Sequence, residues 1–163
     1  MPRFAGMNES QQERLRSVRR DLHSCPEPAW REFYTTSRIV DELERIGVDQ
    51  LHLGQDVVDG DARMAVPDAD ELEDWQAKAR EAGAREDVLE AATGGFTGAL
   101  AVLEQGDGPT VALRVDIDAL PITESDSVAH APVTEEFRSA NEGICTPAGT
   151  TPTRRLALAC WRQ

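Results

Sequence analysis

Apolar residues recur at the three- and four-residue spacing of a helix along the first third of the chain. In NESQQERLRSVRRDLHS, Leu15, Val18 and Leu22 fall on one face, and Asn8 or Ser10 is placed to cap the start. That helix must end before CPEP, because Pro26 and Pro28 cannot continue a helical ladder. A second helix follows, with Phe33, Val40 and Leu43 as its buried stripe, Ile39 and Ile46 beside it, and Gly47 as its C-terminal cap.

The pattern then changes. VDQLHL predicts a short strand and DVVDGDAR a polar turn. Residues 68–92, DADELEDWQAKAREAGAREDVLEAA, predict two short helices broken at Gly83, and their density of charge marks a solvated helical insertion at the surface. From GGFTGALAVLE the spacing becomes that of strands. After the turn at EQGDGP, TVALRVDIDALPI places Val111, Leu113, Val115 and Ile117 alternately with Ala112, Arg114 and Asp116. A strand of this kind runs from a core to the surface, so Asp116 and Asp118 stand at its carboxyl end, where open α/β sheets bind their ligands. Two carboxylates at that spacing could help hold a metal, orient a ligand histidine, or cap the Leu-Pro turn.

Composition narrows the classes. A chain of 163 residues forms one domain at most. Its 30 acidic residues against 17 basic ones, a net charge of −13, repel nucleic acid and anionic lipid alike. Only Lys78 is lysine. Acidity with scarce lysine fits a salt-adapted, halophilic cytoplasm; GC-rich codons explain the missing lysine but not the acidity. Three cysteines (Cys25, Cys145, Cys160) without a CxxC pair argue for a reducing compartment, and Cys25 and Cys145 read as buried thiols. With no apolar run suited to a signal peptide or a membrane span, the expectation is a soluble, cytoplasmic protein. His23, His52 and His130 share no ligand spacing and read as structural, as do Trp30 and Trp75.

Four blocks in fixed order carry a resemblance: RRDLHSCPEPAWREF, ARMAVPDADEL, GGFTGALAVLEQGDGPTVALRVDIDALPI and FRSANEGIC. From about Arg14 to Cys145 the chain resembles the N-terminal part of the peptidase M20 amidohydrolases, in particular their aminobenzoyl-glutamate utilization branch (the hydrolase A-subunit). The resemblance implies an α/β catalytic domain with a mostly parallel sheet flanked by helices, here only in part, over residues 1–145. It implies hydrolysis of the amide bond of N-acyl amino acids by a pair of divalent cations, zinc or manganese, which activate a water with a glutamate as base. It also implies a homodimer, or an assembly of two subunits, through a dimerisation domain. Asp118 would be the carboxylate that orients the site, with Asp116 its neighbour at the strand tip.

After the asparagine-glycine turn the family pattern reads HACGHDAHT and supplies cysteine and histidine ligands. Here residues 146–154 read TPAGTTPTR. Written as CAC GCC TGC GGG CAC GAC GCC CAC ACG and read after loss of the first C, the family motif encodes Thr, Pro, Ala, Gly, Thr, Thr, Pro, Thr, Arg. That is the observed segment. The reading is a frameshift: residues 146–163 are an out-of-frame, disordered tail, the ligands are lost, and this chain binds no metal and is inactive. Two alternatives remain: a non-catalytic fragment that binds an intact subunit of the family, or a pseudogene remnant.

Overall fold

The computed structural model describes residues 7–146. Two helices come first, α1 (Glu9–Ser24) and α2 (Phe33–Ile46). Asn8 caps α1: its side chain accepts from the Gln11 N–H while the Gln11 side chain accepts from the Asn8 N–H. We expect Asn8→Ala to cost about 1 kcal/mol in urea denaturation, since the cap removes an otherwise unpaired helical N–H. At the other end of α2, Gly47 takes φ +83°, the left-handed conformation that ends a helix without strain only for glycine.

Strands β1 (Gln50–Leu53) and β2 (Ala99–Val102) form an antiparallel pair in which Gln50 faces Val102 and Leu53 faces Ala99. Between them lie α3 (Ala69–Glu81) and α4 (Glu86–Ala91), separated at Gly83 as expected. The expectation of a solvated hairpin needs correction. Leu72, Trp75, Ala79, Val88 and Leu89 are buried, and most of them join Phe33 and Tyr34 of α2 in the main core cluster. The charges occupy the opposite face, so high charge density described one side of each helix and not its packing. Gly54, just after β1, is pinned by that packing: a Cβ there would lie 2.3 Å from the Ala91 carbonyl oxygen.

The parallel sheet is not built, which corrects the fold expectation. Among the described residues the sheet has two strands, antiparallel. Residues 109–118 run without regular structure and make no backbone hydrogen bond. Alternation alone makes a strand only where a neighbour takes its N–H and C=O groups. Lacking one, the segment leaves Val111 86% and Leu113 53% exposed, and it rejoins the body at Ala119. A last short helix, α5 (Ala131–Thr134), lies beyond. Among the described residues no helix is long and apolar enough to cross a membrane.

Candidate functional site

Three segments distant in sequence converge below the end of α1. The Ala119 N–H donates to the Glu27 carbonyl at 2.7 Å, and Leu120 and Cys145 exchange backbone hydrogen bonds of 3.0 and 3.1 Å. The Ala140 N–H donates to the Ser24 carbonyl, and the Asn141 side-chain amide to that of Pro26, both at 2.8 Å. The CPEP turn, the DIDAL segment and the NEGIC turn thus form one floor. Cys145 is buried in it, and burial pushes its thiol pKa up. Cys25, expected buried, is half-buried. Thr146 is buried at the floor's edge. The segment expected to be an out-of-frame tail begins with this residue, and the rest of it, from 147 on, lies outside the described residues.

Asp116 is exposed and bonded to Arg114 at 3.0 Å; Asp118, one step closer to the floor, is half-buried. Both line a cavity of about 650 Å³ between residues 113–118 and β2, with Glu32 on the same lining. Among the described residues no hydrogen bond joins Asp116 or Asp118 to a histidine or cysteine. Nor, among them, is any group of three or more His, Cys, Asp or Glu side chains placed to hold a metal ion. Two aspartates on one open segment do not supply the fixed set of donors that a cation centre needs, so the donors described here do not fit a two-metal site.

The buried chemistry lies elsewhere, in carboxylates that the sequence reading passed over. Glu27 accepts from the N–H groups of Tyr34 at 2.9 Å and Thr35 at 2.8 Å, so it caps the first turn of α2 from six residues upstream of the helix. Burial nevertheless pushes its carboxyl pKa up to about 7, against those two hydrogen bonds and with help from Glu32. Glu32 accepts from the Thr97 hydroxyl at 2.5 Å. An acid in a turn just ahead of a helix is a readable capping signal.

Glu124 has no such local signal. Its Oε1 sits 2.7 Å from His23 Nε2 and 2.8 Å from His130 Nε2, and its Oε2 accepts from the Ser139 N–H at 2.7 Å. Burial alone would raise the Glu124 pKa; the hydrogen bonds from His23, Ser139 and His130 outweigh it and hold the group below the usual carboxylate range. His23 lies in the last turn of α1, as expected, but it is buried against Glu124 and the edge of Phe137. His52 stands apart on β1, 3.4 Å from the Gln50 side chain.

No model of a known protein family matches the chain. Over 132 residues, 80% of the chain, it is 46% identical to the indole-3-acetyl-aspartic acid hydrolase of Enterobacter agglomerans, of which it covers 30%. Over 137 residues, 83% of the chain, it is 39% identical to the A-subunit of the p-aminobenzoyl-glutamate hydrolase of Escherichia coli K12, of which it covers 31%. Among solved structures, an aminobenzoyl-glutamate utilization protein from Klebsiella pneumoniae is 46% identical. It superposes with a TM-score of 0.65 on 68% of this chain and 28% of its own. The chain spans about a third of the length of the curated relatives it matches.

Proposed function

This chain belongs with the aminobenzoyl-glutamate and indole-3-acetyl-aspartate hydrolases, and from that premise we propose that it derives from a peptidase M20 amidohydrolase of N-acyl amino acids. The observation that carries the reading is the floor itself. Three of the blocks that gave the resemblance, those with CPEP, DIDAL and NEGIC, meet through hydrogen bonds at one place, and the last of them directly precedes in sequence the segment where the family pattern puts its ligands. Asp118 is then the orienting carboxylate and Asp116 its neighbour. The 163-residue chain by itself is inactive on this reading, because the ligand-bearing segment reads TPAGTTPTR and the donors among the described residues do not make a centre.

The enzyme test is direct. Purified chain with zinc or manganese is expected to release no glutamate from p-aminobenzoyl-glutamate above the metal-only background. Metal-dependent release would refute the assignment of inactivity. The nucleotide sequence across codon 146 tests the frameshift: a hidden reading frame spelling HACGHDAHT supports it, and no such frame sinks it. A second reading, a module that binds another polypeptide of the family, is favoured by one observation. Among the described residues the run 109–118 makes no backbone hydrogen bond.

A further inference from the structure

We propose that the groove between β2 and residues 113–118 docks a β-strand from a second polypeptide, one carrying the part of a full-length relative that these 163 residues do not match. The proposal rests on the module reading above and gives it a surface. The groove has an apolar floor from the two long helices, made by Leu22, Ile39 and Leu43. One wall is β2, which among the described residues pairs with β1 and with no other strand. The other wall is the segment 113–118, whose N–H and C=O groups are unpaired. Leu100 on the first wall is 50% exposed, and Leu113 on the second is exposed as well.

An apolar floor between two free backbone edges matches an extended peptide, whose own N–H and C=O groups point to both sides and whose alternate side chains reach the floor. A single added strand would satisfy both edges. The occupant is drawn from the relatives' remaining length, since the matched part is 30% and 31% of them. A second copy of this chain is a poorer occupant. It brings the same open edges, and each copy carries a net charge of −13 that opposes close approach.

Peptides of about twelve residues, long enough to contain one strand, would tile the A-subunit of the Escherichia coli p-aminobenzoyl-glutamate hydrolase outside its matched third. Each is added to the 163-residue chain and amide hydrogen exchange is followed. At least one tile is expected to bind with one-to-one stoichiometry and slow exchange at residues 110–117 by about tenfold or more. Leu113→Pro and Arg114→Pro each remove an N–H, and consecutive N–H groups face opposite sides once the segment pairs as a strand. Both should leave urea denaturation of the free chain unchanged, because the segment makes no ladder in it, and one of them should abolish peptide binding. A version lacking residues 147–163 is expected to bind the same tile.

The proposal is overturned if no tile slows exchange, or if both proline variants still bind. It also fails if protection at 110–117 grows with protein concentration alone, the mark of a second copy. Protection by p-aminobenzoyl-glutamate itself would make the groove a small-molecule site and equally overturn it. Glutamate release, measured on the chain without peptide, reports on the enzyme reading separately, so the two can fail independently.

Discussion

Between pH 5 and pH 8 the protein is expected to lose about 2.5 kcal/mol of stability through one group, Glu27. Its carboxyl titrates near pH 7 in the fold, raised by burial from 4.5. Between those values the folded chain holds a proton that the unfolded chain has released, so folding is favoured on the acid side. That contribution is fully present below the unfolded pKa and is lost as pH rises through the folded one. The full shift, at about 1.4 kcal/mol per pH unit, is worth about 3.5 kcal/mol, of which about 2.5 kcal/mol falls between pH 5 and pH 8. The measurement is urea denaturation of wild type and Glu27→Gln at both pH values. The difference between the two proteins isolates Glu27 from every other titrating group and from the self-repulsion of an acidic surface. Glu27→Gln should flatten most of the slope while losing a few tenths to about 1 kcal/mol at pH 5, where it gives up one of two accepted backbone bonds. A slope unchanged in Glu27→Gln would show that this carboxyl does not hold its proton in the fold.

The two long helices, the Asn8 cap, the Gly47 stop and the break at Gly83 were all readable, because caps and 3.6-residue periodicity act within a few residues. The short strand at 50–53 and the strand in GALAV were readable too, and they find each other. The run 109–118 has as clear an alternation as either, yet it forms no strand. A ladder is a property of two segments, and one segment's pattern cannot say whether its neighbour is present. The charged helices α3 and α4 failed in the opposite direction. Two or three apolar residues on one face suffice to bury one side of a short helix, however acidic its other side.

The site was half legible for a related reason. CPEP, DIDAL and NEGIC could be singled out, but not the backbone bonds that join them. Nor could anything local mark Glu124 as a partner of His23, 101 positions away. Three histidines without ligand spacing looked inert. The fold brings two of them to one carboxylate oxygen, where they act as structural donors.

That contact carries the second large expectation: Glu124→Ala should cost about 3 kcal/mol or more. Glu124 is buried and gathers His23 from α1, His130 from the start of α5, and the Ser139 N–H into one carboxylate, while Arg138 donates to its main-chain carbonyl at 3.2 Å. Truncation leaves a buried imidazole N–H and a part-buried backbone N–H without acceptors, and removing one member of a buried polar set costs far more than the set contributes over an apolar replacement. Because Glu124 fastens residues 120–146 to α1, amide exchange in that segment should accelerate before the α2–α4 core opens. Glu124→Gln keeps one acceptor but turns an amide N–H₂ toward a donor, so about half the loss is expected. The pH sign is opposite to that of Glu27. Its pKa is depressed, so its contribution is present above the unfolded carboxylate value and disappears as pH falls through the folded one. The gap between wild type and Glu124→Ala should therefore narrow toward pH 3 and be widest at neutrality, where Glu27 contributes least. A gap below about 0.5 kcal/mol at pH 7, the range of an ordinary surface substitution, would mean that the 120–146 segment is held by the Leu120–Cys145 backbone pair and the floor contacts alone.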